Sequence, residues 1–269
     1  MKLLASLFIE TPEDDLGNIS GLPVQLAFYK RSTFRKFSHQ HLLQRLMEQR
    51  ITVESVHAPA ADIYHSHGDE FINMLQTIRD TYNVRVITVH PQRGDRRQAK
   101  ALYNRIEERI KELDIIIAYE TFEPIHEERK WITQVEDMQR CFDALHLPFL
   151  GVTYDFTHAE PKKTAGEIRH FHKHIHAIHF SDARSDLPLD PDEKHQHLAP
   201  GFGNFPVMDF LNILQKIEYK GFLILEYLPA YQHLLHEDFA ALQQFILGEP
   251  DSFIELYSRR QSIPCLKHN

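Results

Sequence analysis

Apolar positions along the chain fall into two alternating kinds. Short runs rich in β-branched and aromatic residues recur at Leu3–Ile9, Val24–Tyr29, Ile51–His57, Val84–His90, Ile115–Glu120, Phe149–Asp155, Ile175–His179 and Phe222–Glu226. Their length suits strands. Their near-continuous apolar character suits parallel strands buried on both faces. Between them lie segments whose apolar residues recur at helical spacing: Phe37–Gln49, Asp69–Thr81, Lys100–Leu113, Thr133–Leu145, Pro206–Ile217, Glu237–Leu247 and, more weakly, Thr164–Lys173. Thr11–Leu22 is too short and too rich in Asp, Gly and Pro for a full helix, so the first βα unit is expected to be degenerate. Eight strands alternating with helices predict an α/β fold, a closed (β/α)8 TIM barrel, with an open doubly wound sheet as the alternative. No linker divides the chain. The expectation is one barrel domain over 1–258, followed by a loose or surface-docked tail, Arg259–Asn269. The opening run ends at Glu10 without a small-residue cleavage site and reads as the first strand rather than a signal peptide.

The ends of the runs carry the chemistry. The third stops at His57, the fourth at His90, the fifth at Glu120, the sixth at Asp155, the seventh at His179 and the eighth at Glu226. Residues two apart on a strand share a face. Behind these termini stand Ser55, Thr88, Ala118, Thr153 and Ala177, small enough for a barrel interior. The opposite parity gives Val56, Val89, Tyr119, Tyr154, Ile178 and Leu225, suited to packing under helices. The six polar termini should therefore converge on the C-terminal mouth, where barrel enzymes place their active sites. Three further histidines extend the set. His158 lies three residues beyond Asp155, and His195 and His197 alternate in the loop after the seventh strand. Gly201-Phe-Gly203 before a helix reads as an anion nest or, on weaker demands, a plain turn. His39, His41, His65, His67, His233 and His236 have no strand-end placement and are expected at the surface, and His170, His172 and His174 near a helix end.

Composition narrows the function classes. The chain has 269 residues, 42% hydrophobic and 25% charged, which suits a folded globular protein. Lys and Arg total 30 against 38 Asp and Glu, a net charge of −8 that disfavours a nucleic acid partner. No apolar run reaches the length needed to cross a bilayer. Two cysteines cannot form a disulfide framework, and a reducing, cytoplasmic setting is expected. The count of 19 histidines is high, and the strand-end positions give it meaning.

The motifs S-V-H-A-P at His57, V-H-P at His90, A-Y-E-T at Glu120, D-x-x-H at Asp155 and His158, H-F-S-D at His179 and Asp182, H-L-A-P-G-F-G at His197 and L-E-Y at Glu226 resemble, in their order and spacing, the xylose isomerase-like TIM barrels. That superfamily includes sugar and sugar phosphate isomerases and epimerases, certain dehydratases and endonuclease IV. The resemblance implies a metal site on Glu120, Asp155, His179 and Glu226. It implies substrate contacts from His158 and Arg184, with His57 and His90 also near the substrate. In the nuclease the positions of His57 and His90 join Glu120 at a second metal, and those of His158, His195 and His197 form a third. This chain departs from the nuclease wording, with His at 195 where an Asp would stand and Ser181-Asp182-Ala183-Arg184 after His179.

Three carboxylates and one imidazole form a hard, oxygen-rich set that suits Mn²⁺ or Mg²⁺, with Co²⁺ or Zn²⁺ also accommodated. The expected activity is a metal-dependent isomerase or epimerase of a small sugar or sugar phosphate, with Glu120 and Glu226 exchanging the proton. The alternatives are a di- or tri-zinc phosphodiesterase and a dehydratase on the same site. Arg93, Arg96 and Arg97 stand either as phosphate contacts or as a solvated loop and helix start. The reading is compatible with an oligomer.

Overall fold

The computed structural model describes residues 1–262 except 12, 29, 37, 61–67, 91–95, 122–137, 139–146 and 188–194. Eight parallel strands close a barrel in sequence order. They are β1 (Lys2–Ile9), β2 (Pro23–Phe28), β3 (Thr52–His57), β4 (Val86–Val89), β5 (Ile116–Glu120), β6 (Leu150–Asp155), β7 (Ile175–Phe180) and β8 (Phe222–Leu225). β8 returns to pair with β1, so the sheet has no free edge. The open-sheet alternative is thereby ruled out.

Helices fill the connections. After β2 come α1 (Arg31–Lys36) and α2 (His39–Glu48), then α3 (Asp69–Tyr82) after β3 and α4 (Arg96–Leu113) after β4. α5 (Pro161–Phe171), α6 (Val207–Lys216), α7 (Leu235–Leu247) and α8 (Asp251–Gln261) complete the shell. The expected helix over 133–145 lies outside the described residues except for Met138, which is helical and buried. Among the described residues between β1 and β2 only a 3-10 turn, Gly17–Ile19, is formed, in line with the degenerate first unit expected. The helical spacing also points the right residues inward: Leu42 and Leu46 of α2, and Phe71, Ile72, Leu75 and Ile78 of α3, are buried. No helix among the described residues is long and apolar enough to cross a membrane.

Strand parity holds. Val56, Val89, Tyr119, Tyr154, Ile178 and Leu225 belong to the large core between strands and helices. The barrel interior is built differently. Leu4, Ala177 and Ile224 form a small apolar plug against Phe222. Gln25, Ser55, Thr88 and Thr153 form a polar group that is fully buried. Two register irregularities set this arrangement. Val24 of β2 pairs with Val53, but Gln25 pairs with Ser55, so the extra residue Glu54 brings Ser55 beside Gln25. Likewise Val152 pairs with Ile175 but Thr153 with Ala177, so the extra residue His176 brings His179 opposite Asp155. Without it Ile178 would hold that place.

The end of the chain corrects an expectation. Arg259–Gln261 are the last turn of α8, not the start of a tail. Arg260 is buried. Its Nη1 lies 2.7 Å from Asp238 Oδ1 and donates to the Pro200 carbonyl at 3.1 Å, and its Nη2 donates to Glu237 Oε2 at 3.1 Å. The guanidinium also sits 5.4 Å from the Phe202 ring centroid. The expectation was a loose or surface-docked tail from Arg259 onward. Partners on α7 and on the loop after β7, distant in sequence, bury Arg260 instead. Residues 263–269 lie outside the described residues.

Candidate metal centre at the barrel mouth

Five of the six strand-end residues are buried, and His90 is half-buried. Glu120 stands at the centre. Its Oε1 lies 2.7 Å from His179 Nδ1, and its Oε2 lies 3.2 Å from both His57 Nε2 and His90 Nε2. His179 Nδ1 also lies 2.6 Å from Glu226 Oε2 and 3.7 Å from Asp155 Oδ2. One Nδ1–H cannot align with two carboxylates. Glu226 Oε2 is close to it but outside hydrogen-bond alignment, and both Glu226 Oε2 and Asp155 Oδ2 are buried acceptors with no aligned donor.

The other Asp155 oxygen is fully engaged. Oδ1 accepts from Thr157 N and Thr157 Oγ1 at 2.8 Å each and from His158 N at 3.1 Å. Asp155 N donates to Thr121 Oγ1 at 2.8 Å. These bonds aim Oδ2 at His179. His158 Nδ1 donates to the Thr121 carbonyl at 3.0 Å, so a neutral His158 carries its lone pair on Nε2.

Burial alone would raise all three carboxylates, and the imidazoles overturn it. Glu120 is held well below the usual range by His179 and His57, Asp155 lies below it through His158, His179 and His197, and Glu226 through His179. His179 moves the other way. Burial would lower it, but Glu226 and Glu120 raise it well above its ordinary value. Three carboxylates thus share one buried volume in which every compensating group is an imidazole able to give up its proton, a set that suits a cation.

The donor atoms are close enough to share an ion. One atom each from Glu120, Asp155, His179 and Glu226 lies within 4.8 Å of the others, and the same holds for His57, Glu120 and His179, and for Asp155, His158 and His197. His57 and His90 rings meet edge-on at 4.7 Å, and His158 and His197 at 5.4 Å.

Not every expected residue joins. His195 belongs to none of the groups formed by the described residues, and its carbonyl accepts from Arg184 N at 2.9 Å. The Arg184 guanidinium forms a two-point contact with Asp186 through Nε and Nη2 at 2.8 and 2.7 Å. Arg93 lies outside the described residues, and Arg97 is exposed. His39, expected at the surface, is half-buried, with Nδ1 2.8 Å from Tyr82 Oη and Nε2 3.1 Å from the Phe34 carbonyl.

Gly201-Phe-Gly203 does form a nest, and its occupant is the chain's own Asp182. That buried carboxylate accepts from Gly201 N and Gly203 N at 2.9 and 3.0 Å and from Ala183 N and Phe205 N at 2.8 and 3.1 Å. Burial pushes Asp182 up to about 6 while these four donors pull it back. A Cβ at Gly203 would strike Asp182 and the Ala183 backbone.

Thr121 stood in the A-Y-E-T motif without a role of its own, and one residue at the site went without notice in the sequence. Gln25 lay unnoticed in the second apolar run, although its inward parity and its isolation in V-Q-L-A-F were a signal.

Comparison with known proteins bears on the fold. Several solved structures share the fold, among them the following three. A D-tagatose 3-epimerase-like protein has TM-score 0.69 and 15% identity, covering 94% of this chain and 100% of that one. The probable 3-DHS dehydratase of petrobactin synthesis from Bacillus anthracis has TM-score 0.64 and 14% identity over 90% and 99% of the two chains. An AP endonuclease, family 2, from Brucella melitensis has TM-score 0.61 and 14% identity over 84% and 92%. No curated protein matches the sequence significantly. The family model described as the xylose isomerase-like TIM barrel matches residues 24–244, and the chain belongs to that family.

Proposed function

We propose that this chain is a divalent-cation-dependent isomerase or epimerase of a small sugar or sugar phosphate. The observation that carries the reading is the meeting of Glu120, Asp155, His179 and Glu226 in one buried, carboxylate-rich volume at the barrel mouth, with two acceptor atoms lacking an aligned donor. These four residues would hold the cation. When bound, it would polarise neighbouring carbonyl and hydroxyl oxygens of the sugar and offset the charge of an enediolate.

The chain's residues supply the proton transfer. Glu120 ends β5 and Glu226 follows β8, so the two carboxylates converge from different strands and would approach a bound sugar from different directions. In this reading one removes the proton beside the carbonyl and the other returns it. Glu226 is the better placed acceptor, because both oxygens of Glu120 lie beside imidazoles. His57, His90 and His158 line the same mouth and would bind hydroxyl groups. The nest and Arg184, the two anion-binding features foreseen in the loop after β7, are both engaged by carboxylates, which favours a substrate with no phosphate at that loop.

The test is incubation of the protein with Mn²⁺ and a panel of keto-sugars in D₂O, with products read by NMR. Deuterium appearing at the carbon beside the carbonyl supports the proposal. Loss of water from the substrate would favour the dehydratase. A phosphodiesterase remains the second reading because His57 Nδ1 lies 3.2 Å from the Ala58 carbonyl, so a neutral ring turns its Nε2 lone pair toward Glu120, a contact that a second cation would relieve. Cleavage of duplex DNA at an abasic site would put that reading first.

A further inference from the structure

The inner face of β2 carries a polar side chain that none of the roles above uses. Gln25 is fully buried. An unmet amide group at such depth costs about 1–3 kcal/mol, yet here every polar atom has a partner. Nε2 donates to Thr88 Oγ1 at 3.0 Å and to Ser55 Oγ at 3.3 Å, and Oε1 lies 2.8 Å from His179 Nε2. Ser55 fixes the sense of the amide. Its one hydroxyl hydrogen goes to the Val86 carbonyl at 3.0 Å, so Oγ meets Gln25 as an acceptor. Thr88 is in turn tied to Thr153 at 2.8 Å. The amide NH₂ therefore belongs on the Ser55 and Thr88 side, and the amide oxygen on the His179 side. An amide oxygen only accepts. His179 Nε2 must carry hydrogen, and Nδ1 is the atom given to Glu120 and Glu226.

We propose that Gln25 is a positioning residue for the candidate cation centre, fixing the His179 ring so that Nε2–H points into the barrel and Nδ1 faces the carboxylates. The extra residue Glu54 in β3 serves this arrangement, since it sets Ser55 beside Gln25. The role in cation binding rests on the reading given under Proposed function, whereas the ring orientation stands on hydrogen bonds alone.

The test compares wild type, Gln25→Met and Gln25→Glu. Proton–nitrogen NMR of metal-free protein labelled at histidine nitrogen reads the His179 Nε2–H, and calorimetry reads Mn²⁺ affinity. Wild type should show an Nε2–H protected from exchange. Gln25→Met keeps the volume but offers no acceptor. It should lose that protection and bind Mn²⁺ about 10–100-fold more weakly. Gln25→Glu restores an acceptor and should bind closer to wild type than Gln25→Met does. Should Gln25→Met fail to fold, Thr88→Val, which removes one acceptor that orients the amide, should weaken Mn²⁺ in the same direction by less. The proposal is overturned if wild type lacks hydrogen on His179 Nε2, or if folded Gln25→Met, or Thr88→Val in its place, binds Mn²⁺ as wild type does. If wild type binds no divalent cation, the cation reading and Gln25's part in it both fall, while the NMR signal still decides the ring orientation.

Discussion

Two buried clusters of charge sit in this molecule, and they are resolved in opposite ways. At the outer shell, Asp238 is fully buried, but Arg260 brings a guanidinium to 2.7 Å from it and Glu237 joins the same cation. At the barrel mouth, Glu120, Asp155 and Glu226 face imidazoles, whose charge depends on a proton: His179 is shared by all three, His57 and His90 stand beside Glu120, and His158 beside Asp155. Both clusters contain buried oxygens without an aligned donor, Asp238 included. Orphaned oxygens alone therefore do not mark a site. The kind of compensating charge does: the shell cluster carries a guanidinium that keeps its proton, and the mouth carries imidazoles that can give theirs up.

The contrast yields predictions of decreasing size. Glu226→Gln keeps shape and removes a proton acceptor. It should lower turnover of a keto-sugar by at least about 100-fold, with the thermal midpoint little changed, as steady-state rates and calorimetry would show. Arg260→Met should leave Asp238 uncompensated and cost about 3–5 kcal/mol in urea unfolding. That is the larger stability loss of the two clusters, since Asp155→Asn at the mouth relieves repulsion as well as removing contacts.

The next prediction concerns pH. His179 is held well above its ordinary value in the metal-free protein, and the proton on Nδ1 must leave before a cation binds. Mn²⁺ affinity should rise with pH across the neutral range, with about one proton released per ion, which calorimetry in buffers of different ionisation enthalpy would count. The smallest effect is at the shell. Asp238 is raised by burial to about 6. A carboxyl raised by folding stabilises most below its unfolded value, and that contribution is lost as pH rises through the folded value. The stability difference between wild type and Asp238→Asn should therefore shift against wild type from pH 4 to pH 6.5.

The two clusters also differ in how far the sequence revealed them. The mouth was legible because a parallel barrel sends every strand end to one rim, so six polar residues in register had one destination. Even there, Gln25 was hidden. A single amide inside an apolar run reads as tolerated polarity until its partners on β3, β4 and β7 are known. The shell cluster was illegible for a related reason. Arg260 meets Asp238 of the preceding helix and the Pro200 carbonyl of the loop after β7 only once α8 has docked, and nothing local distinguishes it from Arg259, which is exposed. The nest at Gly201 and Gly203 was visible as a backbone shape, but its occupant, Asp182, lies nineteen and twenty-one residues away. Local pattern gave the position of groups, and their partners across the fold decided their use.

The most direct test of the central claim is the divalent-ion content of the untagged, purified protein, by elemental analysis of wild type and Asp155→Asn. The account predicts one Mn, Mg or Co per chain in wild type and its loss in a variant that stays folded. No bound divalent ion after equilibration with Mn²⁺ would contradict the cation centre itself, and two or three Zn per chain would overturn the isomerase reading in favour of the phosphodiesterase.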